Sequence, residues 1–329
     1  MKPSNAKANV GVLPARRRKP SNAKANVGVL PARRRRRALL ALLLGSLACE
    51  ASGFETESVV DTLRVLAIEA DLPIAVPGET VHLSTLWADP LGNGRPISWA
   101  WGVCVNPGAT QIPACAAQLR SLSFGGDAFD VTVPADALDG LPPSAPIGEV
   151  GVVFAACAGT LTLVPNATGA PVSCTDAKGN AVGRDGFVWG GRRIIVVQGF
   201  RNQNPTLTKI FFDGVEWSPS YEPPIAPCAA KNVEGCPVDT QHVITYQMTQ
   251  DSQETYGAGL VEDVVGWFYV SQGSLADAYL RPDTSTSIPT FQTEYAPTLS
   301  DTAHPVQMWF VLRDDRGGVT FAQRRLSWR

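Results

Sequence analysis

From residue 63 onward the chain is divided into short apolar runs that alternate with period two and are interrupted by glycine or proline. Val81, Leu83 and Trp87 share one face of such a run, with His82 and Ser84 on the other. Trp99 and Trp101 stand two apart, as do Val150, Val152 and Phe154, and residues 129–133 alternate in the same way. Successive side chains of a strand point to opposite sides, so this spacing specifies strands with one buried face. No stretch after residue 49 carries the 3.6-residue period of a helix. With 30 Gly and 26 Pro to supply turns, the chain is constrained to an all-β fold.

The pattern predicts a first series of strands at 63–68, 81–87, 98–104, 129–133, 149–157 and 192–197. A second series covers 207–212, 243–248, 264–270 and 290–295. It ends in a hairpin of 306–312 and 319–328, turned by Asp314-Asp315-Arg316-Gly317-Gly318. Many short strands separated by turn residues are the signature of an immunoglobulin-like sandwich. The expected fold is therefore two tandem immunoglobulin-like β-sandwiches, residues 59–198 and 206–329, set head to tail. The polar stretch 199–205, with Asn202, Gln203 and Asn204, is the expected linker.

The segment before these strands reads as an export leader. Arginines 33–37 precede an apolar run, 38–48, that is far shorter than the roughly 20 residues needed to cross a bilayer. A basic cluster, a short apolar core and a small residue before Cys49 make a secretory signal, residues 38–49, with a polar tether at 50–58. Ser46-Leu47-Ala48-Cys49 resembles a lipobox, with Ser46 in the place where that pattern has leucine. The resemblance implies a diacylglycerol on Cys49 and attachment to the membrane through it. The alternative is ordinary cleavage near Ala48. Glu50 is not the aspartate that retains lipoproteins at the inner membrane, so an outer-membrane lipoprotein is expected. Residues 2–18 recur unchanged as 19–35, and this basic, proline-containing segment, 1–37, should be disordered. A duplication in the gene or a start placed too early accounts for the repeat, and export would remove it.

The formal charge of −2 conceals an asymmetry. Twelve of the 28 Lys and Arg residues and none of the 30 Asp and Glu residues precede Cys49, so the rest carries 16 basic against 30 acidic residues, a formal −14. Such a body argues against nucleic acid as a partner. Cys104, Cys115, Cys157, Cys174, Cys228 and Cys236 remain after Cys49 is assigned to lipid. An even set in an oxidising compartment implies disulfides. Sequential local pairs, 104–115, 157–174 and 228–236, are expected, and a strand-to-strand Cys104–Cys157 bridge is the rival. The spacing does not suit zinc, because no C-x-x-C occurs and His82, His242 and His304 lie far away in sequence.

Three further stretches carry a resemblance. Residues 63–68 (Leu-Arg-Val-Leu-Ala-Ile), 77–81 (Pro-Gly-Glu-Thr-Val) and Trp99-Ala-Trp101 with Cys104 resemble the opening of uncharacterised bacterial envelope lipoproteins of myxobacterial type with immunoglobulin-like domains. Residues 309–318 (Trp-Phe-Val-Leu-Arg-Asp-Asp-Arg-Gly-Gly) are similar to their ending. The resemblance implies a fold and a location, and no site.

Catalytic patterns are missing from the sequence. No Gly-x-Ser-x-Gly elbow occurs, and Ser274 in Gln272-Gly273-Ser274-Leu275 lacks the second glycine. No two histidines stand four apart, and Gly257-Ala-Gly259 lacks the third glycine of a dinucleotide loop. His82 and His304 should be solvated. Asp127/Asp130, Asp136/Asp139, Asp176/Asp185 and Asp314/Asp315 all fall in turns, where aspartate bonds its own backbone. Residues 176–180 resemble a calcium loop but place Lys178 where an oxygen ligand is needed, so no cofactor is expected and calcium is the one metal the acidic loops suit. Of the eight tryptophans, only Trp189 and Trp217 are expected to be exposed. The reading is a non-catalytic binding, adhesion or scaffold protein of the envelope whose partner is another envelope protein or a glycan. The alternative is an envelope hydrolase or a glycan-binding accessory module.

Overall fold

Period-two runs become strands wherever one side of the run can be covered. The computed structural model describes residues 58–329 except 93, 106–114, 116–118, 120–121, 142–146, 165–170, 231, 258, 286 and 299–301. The duplicated segment, the leader and Cys49 lie outside the described residues.

The first sandwich begins with β1 (Arg64–Ala70), β2 (Ile74–Ala75), β3 (Thr80–Ala88), β4 (Ser98–Val105) and β5 (Ser123–Gly125). It continues with β6 (Ala128–Thr132), β7 (Gly148–Cys157), β8 (Thr160–Leu163), β9 (Val172–Thr175) and β10 (Phe187–Val196). The second opens with β11 (Leu207–Phe212), β12 (Val215–Glu216), β13 (Pro224–Ile225), β14 (His242–Met248), β15 (Thr255–Tyr256) and β16 (Leu260–Val261). It closes with β17 (Val264–Val270), β18 (Ser274–Leu275), β19 (Tyr279–Leu280), β20 (Thr290–Ala296), β21 (Val306–Asp314) and β22 (Val319–Trp328).

Strand order β1-β3-β6 faces β2-β10-β7-β4-β5 in the first sandwich, and β12-β11-β14-β20-β18 faces β13-β22-β21-β17-β19 in the second. In each, the opening strand lies in one sheet and a short continuation, β2 or β13, crosses to pair in parallel with the last strand, β10 or β22. Non-consecutive neighbours inside two facing antiparallel sheets, with that crossing edge, make both immunoglobulin-like. The antiparallel β8–β9 pair is an addition between β7 and β10.

The cores consist of the residues on the inward phase of each run. Trp99 and Trp101 stack with centroids 6.0 Å apart, and Trp101 packs on Phe129 at 5.4 Å, inside a cluster that includes Val81, Val150 and Val152. The indole N–H of Trp101 donates to Gly126 O at 3.0 Å, so the buried ring leaves no donor unpaired. In the second core Tyr246 sits among Phe268, Phe291 and Phe310. Gly266 is required there, because a Cβ on it would lie 1.9 Å from the Tyr246 hydroxyl.

Three disulfides join Cys104 to Cys115, Cys157 to Cys174 and Cys228 to Cys236, with Cα separations of 5.6, 5.8 and 5.7 Å. These are the local pairs and not the Cys104–Cys157 alternative. Geometry explains the choice, since Cys104 and Cys157 lie on adjacent strands but in different register, opposite Gly151 and Ser98.

Two sequence expectations need correction. Trp217 is not exposed but fully buried, between Phe212 at 5.3 Å and Phe310 at 6.2 Å. Asp213 and Gly214 both take left-handed φ, +50° and +77°, turning β12 back along β11 and carrying the indole into the core. Nor are the sandwiches simply head to tail, because they meet through a shared apolar cluster. Leu66 and Ala67 of β1 and Leu86 and Ala88 of β3 pack on Trp309 and Val311 of β21 and Val319 of β22. Residues 58–60 also reach across, with Val60 N–H donating to Val270 O at 2.8 Å and Val270 N–H to Ser58 O at 2.8 Å.

Residues 199–205 connect β10 to β11 as a bonded strap. Asn204 donates to Ala70 O at 2.7 Å in the first sandwich and accepts from Val319 N–H at 2.8 Å in the second. Arg201 grips Glu79 with two bonds of 2.6 Å, and buried Asn202 donates to Asp314 at 3.1 Å. The polarity that reads as a linker supplies the bonds that close the junction.

Candidate functional site

On β17 and β21 the inward residues belong to the second core, and the outward ones face the first sandwich. Outward-facing are Trp267 and Tyr269 on β17, then Trp309, Val311 and Arg313 on β21. The first sandwich covers Trp309 and Val311 completely but leaves Trp267 and Tyr269 only half-buried. Their rings lie within 7° of parallel, centroids 6.2 Å apart, in a groove of about 220 Å³ whose other wall is Arg64, Val65 and Leu66. Exposed Tyr279 stands edge-on to Trp267 at 4.7 Å.

Arg313 links this groove to a second opening. Its guanidinium carbon lies 5.8 Å from the Trp267 ring centroid, and its Nη2 donates to Leu66 O at 2.6 Å. It also lines a cleft of about 480 Å³ between β7 and β10 of the first sandwich and the β21–β22 turn of the second. Arg192 enters that cleft from β10 and donates through Nη2 to Gly317 O at 2.5 Å. Its Nε is inaccessible to water and has no partner among the described residues. Burial, and secondarily the neighbouring Arg313 charge, pull the Arg192 guanidinium down to about 10.

The carboxylates around the cleft are engaged elsewhere. Asp314 is buried and accepts from Arg316 N–H at 2.9 Å, Gly318 N–H at 2.7 Å and Asn202. Burial raises its pKa despite those three donors. The turn needs its glycines, because Gly317 has φ +95° and a Cβ on Gly318 would sit 1.9 Å from an Asp314 oxygen. Arg316 turns aside to Glu262 at 2.8 Å and to Glu254, and stacks over Tyr256. Glu149 pairs with Arg193 at 3.3 Å, and Asp315 accepts from Tyr256 Oη at 3.3 Å.

The other residues singled out from sequence are dispersed. His82 is exposed and meets Asp130 at 2.6 Å, and Asp127 accepts from Trp87 Nε1 at 2.8 Å. Asp176 accepts from the backbone N–H groups of Lys178 and Asn180 at 2.8 and 2.9 Å, so the calcium-like loop closes on itself. Among the described residues no group of three His, Cys, Asp or Glu could hold a metal. Asp139 N–H bonds Asp136 O within a turn, Ser274 pairs with Ala296, and Gly257 and Gly259 bend the β15–β16 connection with φ of +54° and +88°. Trp189 is half-buried against the clusters holding the Cys104–Cys115 and Cys157–Cys174 bridges. Arg192, Arg313 and Trp267 lie on strands β10, β21 and β17, far apart in sequence, and no local motif links them.

No family model and no curated protein matches the chain. Solved structures do. The D0–D1 domain of intimin is 12% identical over 80% of this chain and 98% of its own, with a TM-score of 0.21. Dimeric latent PorU from Porphyromonas gingivalis is 10% identical over 82% of this chain and 24% of its own, with a TM-score of 0.23. The Yersinia pseudotuberculosis adhesin InvE is 11% identical over 80% and 60%, with a TM-score of 0.22. The fold assignment rests on the strand order given above.

Proposed function

We propose that this chain is an exported binding protein of the cell envelope, attached to the outer membrane by lipid on Cys49, whose body holds a glycan without transforming it. The observation that carries the ligand reading is the parallel Trp267–Tyr269 pair, left half-exposed on the floor of the junction groove. The C–H faces of a sugar ring pack on aromatic faces, and a preformed concave site avoids much of the ordering cost of binding. The apolar cluster and the bonded strap hold the groove's two walls together. Three disulfides suit an oxidising compartment, and the leader ending at Cys49 supplies the route to it.

Titration of the oxidised mature chain with oligosaccharides tests the ligand. Binding should weaken at least about tenfold in Trp267→Ala, the loss of one aromatic contact of about 1.4 kcal/mol. Absence of saccharide binding, or equal binding by the variant, refutes the reading. Fatty-acid labelling of cells expressing the wild type and Cys49→Ser tests the anchor, and equal labelling of the two refutes it.

A further inference from the structure

The cleft beside the aromatic groove contains two guanidinium groups whose hydrogen bonds, among the described residues, go to backbone carbonyls alone. Arg192 bonds Gly317 O, Arg313 bonds Leu66 O, and among the described residues neither forms an ion pair. Each lacks what a buried or half-buried arginine ordinarily has, a carboxylate on its fork. Every carboxylate lining the cleft is engaged: Glu149 by Arg193, Asp314 by two backbone N–H groups and Asn202, Asp315 by Tyr256. Asp314, and more weakly Glu69 on β1, attract Arg192 without bonding it, and burial raises the pKa of both carboxyls. Arg193 and Arg316 spend their charge on Glu149, and on Glu262 and Glu254. The cleft sets Arg192, Arg193, Arg313 and Arg316 against Glu149, Asp314 and Asp315, and of these arginines Arg192 and Arg313 are the two with no carboxylate bonded to them among the described residues. Arg313 also neighbours the aromatic groove, its guanidinium carbon 5.8 Å from the centroid of the Trp267 ring.

We propose that the junction binds an acidic saccharide, its ring stacked on Trp267 and Tyr269 and its carboxylate held between Arg192 and Arg313. This rests on the glycan reading above and adds the charge of the ligand to it. The chemistry follows from the donors. A planar fork recognises a carboxylate with two parallel bonds, which an ammonium cannot reproduce. A neutral sugar would leave the pair unsatisfied.

Isothermal titration of the oxidised mature chain with uronic-acid oligosaccharides, and with neutral oligomers of the same length, tests this. The acidic oligomer should bind at least tenfold tighter at low salt, and the advantage should shrink as salt is raised. Arg192→Gln and Arg192→Lys should both reduce that advantage, the lysine because it keeps the charge and loses the planar guanidinium. Circular dichroism identifies a variant that fails to fold, and the wild-type comparison of the two oligomers stands without any variant. Equal binding of acidic and neutral oligomers overturns the carboxylate site and leaves the glycan reading intact. No binding of either overturns both. Poly-glutamate binding as tightly as the uronate, with the same dependence on Arg192, overturns the saccharide assignment.

Discussion

Replacing Asn204 with alanine removes one side chain that bonds two sandwiches at once. The amide donates to the carbonyl of Ala70, which is fully buried, and accepts from the N–H of Val319, which is 5% exposed. A net hydrogen bond contributes about 1 kcal/mol, and a buried backbone group left without a partner costs about 1–3 kcal/mol. Asn204 is itself half-buried, so water can reach part of the vacated space and the low end applies. The expected loss is about 2 kcal/mol for the two bonds together. For a body of this size that lowers the melting temperature by about 4–8 °C. Denaturant unfolding followed by tryptophan fluorescence measures the loss, because Trp99 and Trp101 report one core and Trp217 the other. Limited trypsinolysis supplies an independent readout, since Arg201 lies within the strap and is held by Glu79. The wild type should resist cleavage after Arg201, and the variant should be cut there faster. An unchanged unfolding midpoint with unchanged protection of Arg201 would refute the view that the strap fastens the two sandwiches.

Further outcomes are expected elsewhere in the molecule. Tyr246→Phe should leave stability unchanged or raise it by about 1 kcal/mol in denaturant titration, because the buried hydroxyl has no partner among the described residues to lose. Cys157→Ser with Cys174→Ser should cost about 3 kcal/mol, the loop-closure value for a bridge of separation 17, as read from the oxidised and variant unfolding curves. Hydrogen bonds from Arg201, and secondarily from Val76 N–H, hold the Glu79 carboxyl down at about 2, against an ordinary 4.5. A depressed carboxylate stabilises the fold above pH 4.5 and loses that contribution as pH falls toward 2, so Glu79→Gln should flatten the acid limb of stability in that window. A wild-type-like slope in the variant would count against this assignment.

The strands could be read from the amino-acid order because a half-buried strand needs only an apolar residue at every second position. Val264 to Val270 and Leu207 to Phe212 are strands over the stretches where their alternation places them. The three disulfides were readable for a similarly local reason, since each closes a short loop. Trp217 was misread although Asp213-Gly214, a turn signal for a tight hairpin, stood just before it. The junction lay beyond any local pattern. Trp309 and Val311 alternate along β21 with the residues of the second core, and both are buried because a second sheet covers their face as well. Period two tells which residues share a face and not what lies against that face. Asn202 and Asn204 carry the same ambiguity, since a polar side chain is equally suited to water and to a buried carbonyl. Arg192 and Arg313, far apart in sequence, meet at one cleft only after the two sandwiches have packed. Local spacing therefore governs the strands and bridges, while the arrangement of the binding surface depends on long-range packing that no single run of residues encodes.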